Sequence, residues 1–181
     1  MVARTILMII LALPYMAFSQ KLVSRNGHIW FYSHTPIEDI EAHNRQVVSI
    51  LEPATGDIAF NLLIRSFEFR KALMQEHFNE NFMESDKYPK STFEGKITNL
   101  DKIDFKKDGT YTAEVAGNLT IHNVTRPLKV TGTIEVRGNL VTARAKFIAT
   151  PQEYNITIPA VVEKNIAKEI EVTVEMPYSS N

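Results

Sequence analysis

The sequence contains no cysteine. That single absence excludes disulfides, thiolate nucleophiles, cysteine-rich zinc sites and a cysteine-linked lipid anchor. An excess of charge of one sign is missing too: 20 Lys and Arg stand against 21 Asp and Glu, with no run of like charge. Nucleic-acid binders need clustered positive charge for phosphate contacts, so that class of partner is excluded. Glycine and proline are scarce, 7 and 8 in 181 residues, and most fall at the borders of patterned stretches, where turns need them. No G-x-S-x-G, P-loop, G-x-G-x-x-G or H-E-x-x-H pattern occurs, which leaves hydrolase, nucleotide, dinucleotide and zinc-protease readings without support. What is present is ordinary for one folded domain: 44% hydrophobic and 23% charged residues, enough for a core without staples.

Only one long apolar run exists. Arg4 precedes Ile6 to Leu13, Pro14 ends the run, and Ala17-Phe18-Ser19 leads into Gln20. This is the pattern of a secretory signal peptide over residues 1–19, leaving residues 20–181 as a single domain. A membrane span needs ~20 apolar residues, and Pro14 interrupts long before that. The expectation is a secreted protein, in a bacterial periplasm. Outside the cytosol and without disulfides, apolar packing alone must hold it together. The Asn-x-Thr triplets at Asn118, Asn123 and Asn155 are read as chance products of strand composition.

A period of two dominates the rest. From Thr110 to His122, Tyr111, Ala113, Val115, Gly117, Leu119 and Ile121 share one face. After a turn placed over His122 to Pro127, Leu128, Val130, Gly132, Ile134 and Val136 do the same. Gly138-Asn139 is a two-residue hairpin signal. Beyond it Val141, Ala143, Ala145, Phe147 and Ala149 alternate with polar residues, as do Ile170, Val172, Val174 and Met176 later. Earlier strands are noisier: His28 to Ser33, Gln46 to Leu51, Ile58 to Ile64 and Ser91 to Leu100. Eight or nine half-buried antiparallel strands predict an all-β barrel or sandwich. One stretch breaks the period: Lys71 to Glu80 predicts a short helix between strands. A helical turn near Val162 to Lys168 is a weaker signal.

The inward faces mix large and small residues. Phe60, Phe93, Tyr111 and Val115, together with Leu119, Val130, Ile134 and Phe147, form an apolar wall. Between them stand Gly95, Ala113, Gly117, Gly132, Ala143 and Ala145. Such a face either leaves an elongated dry cavity or is filled by its larger members, and residue types alone do not decide.

Polar chemistry is thin. His28, His34, His43, His77 and His122 form no ligand pattern. Glu76, His77, Glu80 and Glu84 share a helix face, but real sites demand more than an exposed carboxylate cluster, so no metal is expected. His122 reads as a turn-stabilising residue.

Two segments carry a family resemblance. One runs Phe78-x3-Phe82-Met83-Glu84-Ser85-Asp86-Lys87-Tyr88-Pro89-Lys90-Ser91-Thr92-Phe93; the other runs Gly117-Asn118-Leu119-Thr120-Ile121-His122-Asn123-Val124-Thr125-Arg126-Pro127-Leu128. Together they resemble the YceI family of secreted lipid-binding proteins. The resemblance implies an all-β, extended antiparallel eight-stranded lipocalin-like barrel with one short helix between strands. It implies a bound polyisoprenoid or quinone-type lipid in an apolar tunnel, no required cofactor and often a homodimer. On that basis the tunnel wall is assigned to Phe60, Phe93, Tyr111, Val115, Leu119, Val130, Gly132, Ile134, Ala145 and Phe147. Met74, Phe78, Phe82 and Tyr88 become a lid, or a fixed plug, at the tunnel mouth. Three departures stand out. Asn123 and Asn155 replace family glycines, and Thr35 to Arg45 stands where a clearer strand is expected, predicting an abbreviated barrel. The function expected is non-enzymatic carriage or sequestration. The alternatives are an enzyme acting on a quinone or lipid through His77 or His122, and a filled structural barrel.

Overall fold

The computed structural model describes residues 21–179; the signal segment expected over 1–19 lies outside them. Nine strands follow in chain order: β1 (Leu22–His34), β2 (Asp39–Leu51), β3 (Asp57–Leu63), β4 (Glu68–Phe69), β5 (Lys90–Ile97), β6 (Gly109–Ile121), β7 (Val124–Arg137), β8 (Leu140–Ala149) and β9 (Ile170–Ser179). Every pairing is antiparallel, in the order β1-β9-β8-β7-β6-β5-β3-β2, and a β1–β2 pairing closes the ring. The result is an eight-stranded barrel, with the two-residue β4 appended beside Ala42 and His43 of β2. Between β4 and β5 lies one helix, α1 (Ala72–His77), which widens into a π-type turn over Phe78–Phe82. No helix among the described residues is long and apolar enough to cross a membrane.

The predicted abbreviation of the barrel is not found. β1 and β2 are both 13 residues long, because only Thr35–Glu38 turns between them, held by Thr35 Oγ1 accepting from the Glu38 N–H at 3.1 Å. Register slips near Gly27 blur the alternation, and a period-two reading therefore finds only His28 to Ser33 and Gln46 to Leu51 of these longer strands. The turn expected over His122–Pro127 is also tighter than predicted. His122 and Asn123 alone make it, at φ 50° and 61°, the pair of positive dihedrals of a I′ hairpin. Asn155 stands at φ 56°. Both asparagines that replace family glycines therefore sit in the left-handed region, which Asn tolerates better than other side-chain-bearing residues. The helical turn near Val162 reduces to a 3₁₀ turn over Glu163–Asn165.

The strands divide the barrel into two ends. At one, Leu51, Val136, Val141, Met176 and Tyr178 are buried and fill the interior. Tyr178 there donates to Ser49 Oγ at 2.6 Å, and Ser49 donates onward to the Ala59 carbonyl at 2.9 Å. Burial pushes the Tyr178 phenol well above its usual range. At the other end α1, the Thr35–Glu38 turn and the segment from Pro151 to Ile166 surround an opening.

Candidate functional site

The inward faces of β3, β5, β6, β7 and β8 enclose a mid-barrel cavity of about 100 Å³. Phe60, Phe93, Val115, Leu119, Val130, Gly132, Ile134, Ala145 and Phe147 all line it. Tyr111, expected among them, does not: it lies toward the filled end, where its hydroxyl donates to the Lys107 carbonyl at 2.9 Å. A second cavity of about 300 Å³ occupies the open end. Ile29, Leu62, Ser91, Leu119 and Phe147 border both, so the two are compartments of one lumen, blind at the filled end. Its walls are almost wholly apolar.

The small inward residues do not all make space. Gly95 and Gly117 face each other across β5 and β6. A Cβ on either would stand 2.6 or 2.7 Å from Cζ of Phe93. They seat the Phe93 ring, which meets Phe60 edge-on with centroids 5.9 Å apart. Gly132 permits a close strand approach, since a Cβ there would lie 2.3 Å from the Arg144 carbonyl oxygen. Ala113, Ala143 and Ala145 line the cavity itself.

At the open end Met74, Phe78 and Phe82 line the larger compartment. Phe78 belongs to an aromatic group that pattern reading missed: Phe31 lies 5.6 Å from it, Phe67 5.6 Å and Phe69 5.0 Å. Phe31 points inward from β1, while Phe67 and Phe69 come from an irregular stretch with too little alternation to assign a face. Tyr88, expected in the lid, is elsewhere. Its ring stands edge-on against His122 at 4.3 Å, outside both compartments.

Polar groups gather at the rim. Glu38 lines the compartment and accepts hydrogen bonds from Lys71 Nζ at 2.9 Å and from Asn165 Nδ2 at 3.2 Å. It thus joins the β1–β2 turn, the start of α1 and the late loop. Those two hydrogen bonds, Lys71 first, hold the Glu38 carboxyl below its ordinary range. Ser33 adds a tie by accepting from the Ala167 N–H at 2.8 Å.

The two histidines considered for catalysis differ. His122 donates through Nδ1 to the Tyr154 carbonyl at 3.2 Å and meets Glu84 Oε2 through Nε2 at 3.0 Å. Both nitrogens are engaged in holding turns, and the ring faces neither compartment. His77 borders the larger compartment but has no hydrogen-bonding or ionic partner among the described residues. A general base needs a positioned partner as well as reach. Among the described residues no three His, Asp or Glu side chains gather in a way that holds a metal ion.

A closed antiparallel barrel with a blind apolar lumen, open at one end beside a short helix, defines the lipocalin-like class of barrels. Within that class the assignment is narrower: the YceI-like domain model matches residues 22–178, and the chain belongs to this family. Solved structures with this fold include a polyisoprenoid-binding domain from Saccharophagus degradans implicated in plant cell wall breakdown. It superposes with a TM-score of 0.75 at 10% identity, over 90% of this chain and 99% of that one. Burkholderia cenocepacia BcnA gives 0.70 at 15% identity, covering 83% and 95%. A Campylobacter jejuni YceI protein gives 0.64 at 15% identity, covering 82% and 89%. At such identities the likeness is one of fold. No curated protein matches the sequence.

Proposed function

We propose that this protein is a non-enzymatic, secreted carrier that holds the tail of a polyisoprenoid lipid or quinone in its lumen, for transport or sequestration. The observation that carries the reading is the pair of adjoining, almost wholly apolar compartments of about 300 and about 100 Å³, with the carboxylate of Glu38 at the rim of the larger one. Each buried CH₂ is worth about 0.8 kcal/mol, so one five-carbon prenyl unit contributes roughly 4 kcal/mol before ordering costs. Tight binding then needs few polar contacts. Membership of the YceI family supports a lipid guest, and the polyisoprenoid-binding neighbour supports its prenyl class. The wall residues at the guest are Phe60, Phe93, Val115, Leu119, Val130, Ile134, Ala145 and Phe147, with Met74, Phe78 and Phe82 over the mouth. The engaged His122 and unpartnered His77 fit binding better than turnover.

The test is a substitution inside the lumen. Ala145 lines the mid-barrel compartment, so Ala145→Trp is expected to fill it, lowering the amount of prenyl lipid retained while the far-ultraviolet circular dichroism stays that of the parent. Unchanged retention in a folded Ala145→Trp protein overturns the assignment.

A further inference from the structure

The barrel wall is not closed along its whole height. β7 and β8 pair only from Gly132–Ala145 to Arg137–Leu140, although β7 begins at Val124 and β8 runs on to Ala149. Continuing that register would set Leu128–Thr131 against Lys146–Ala149. The last pair, Gly132–Ala145, is a non-hydrogen-bonded one, flanked by a bond between Thr131 and Lys146, and beyond it no pairing joins Leu128–Val130 to Phe147–Ala149. Three unjoined positions at about 3.3 Å each open a parting roughly 10 Å long. Its two ends are fixed. At the lower end Gly132 brings the strands into close approach, and outside it Arg144 of β8 binds Glu135 of β7 at 2.8 Å and Glu175 of β9 at 2.9 Å. At the upper end the Pro151–Tyr154 turn is strapped to β7, with Arg126 Nε donating to the Glu153 carbonyl at 3.0 Å and His122 donating to that of Tyr154.

The residues along the parting are those of the lumen. Leu128, Val130 and Gly132 on one side, with Ala145 and Phe147 on the other, line the mid-barrel compartment. They face inward and are half-buried, while Ile134 and Val136, in the paired section of the same strand, are 2% and 1% exposed. Pro127 fits the same picture. It stands in the stretch of β7 that is paired on one side only, where a residue with no N–H is tolerated.

We infer that this parting is a lateral slot through which a prenyl chain longer than the lumen emerges. The lumen then has two openings, the rim and the slot. Its ligand class is linear prenyl lipids without an upper length set by cavity volume. This inference rests on the proposed lipid function, and the experiment separates the two.

Because the chain has no cysteine, single cysteines can be introduced on a clean background. Thr131→Cys places one on the outer edge of the slot. Thr112→Cys places one on the exposed outer face of β6, where β7 pairs through Thr133 on one side and Asn99 covers the other, its Nδ2 donating to the Thr112 carbonyl at 3.0 Å. Both are labelled with a benzophenone maleimide, loaded with farnesol, geranylgeraniol or solanesol, and irradiated. Intact-mass measurement gives bound lipid before irradiation and cross-linked lipid after it. The slot predicts cross-linking per bound lipid that rises with chain length at position 131 and stays at background at 112. Solanesol that is bound but cross-links no better at 131 than at 112 overturns the slot while leaving the carrier reading intact. Failure of all three alcohols to bind overturns both.

Discussion

Gly132 and Ala145 face each other across β7 and β8 and have opposite roles. Ala145 borders open volume, so its side chain can grow into the lumen. Gly132 has no such room, because a Cβ would meet the Arg144 carbonyl oxygen at 2.3 Å, and a backbone oxygen can be moved only with its strand. Overpacking of this kind typically costs about 1–3 kcal/mol. Gly132→Ala is therefore expected to lower the urea midpoint with an unchanged slope, and an unshifted midpoint contradicts the close approach. The sequence shows both residues as small and inward, and their difference lies in a distance between strands that no residue type encodes. The same holds for Gly95 and Gly117, which read as vacancies and serve as the seat of Phe93. Tyr111 and Tyr88 line neither compartment for a related reason: a face of a strand or a helix-following segment gives direction, but not height along the barrel. Where backbone conformation is the issue, residue type is more informative. Asn123 and Asn155 both take the left-handed conformation that their positions require.

At the level of elements, the mouth is assembled from three segments far apart in the chain. Glu38 and Asn165 are separated by 127 residues, and with Lys71 they form a clasp across the β1–β2 turn, α1 and the late loop. Since hydrogen bonding holds the Glu38 carboxyl below its ordinary range, the clasp is at full strength above about pH 4, the ordinary carboxylate value, and is lost as pH falls through the lowered one. Exchange of a fluorescent prenyl lipid between protein and vesicles is expected to accelerate on acidification below about pH 4. In Glu38→Gln it is expected to be fast already at neutral pH, with a flatter acid dependence. An identical exchange profile in the two proteins contradicts a clasp at the mouth. Strand periodicity foretold β6 to β9 closely and a helix near Lys71–Glu80, which forms over Ala72–His77 and widens beyond it. It did not foretell the clasp or the Phe31, Phe67, Phe69 and Phe78 group, because neither follows a period along one element.

For the molecule as a whole, the absence of disulfides set a requirement that the barrel meets in only one of its halves. Toward the closed end Leu51, Val136, Met176 and Tyr178 pack without solvent, and the Tyr178–Ser49–Ala59 chain satisfies the phenol and the Ser49 hydroxyl buried with them, while the Ser24 hydroxyl opposite Ser49 has no partner among the described residues. Toward the open end the same kind of strand encloses a lumen. The choice between a filled and a hollow barrel, left open by residue types, is thus divided along the barrel axis. The central claim is that a prenyl lipid occupies the hollow half. Native mass spectrometry of the protein purified without detergent from its native host, followed by organic extraction, tests it most directly. The account predicts a non-covalent adduct that survives gentle ionisation and is recovered in the extract as a species of prenyl mass spacing. Protein that is repeatedly empty, or that carries only lipids without a prenyl tail, contradicts it.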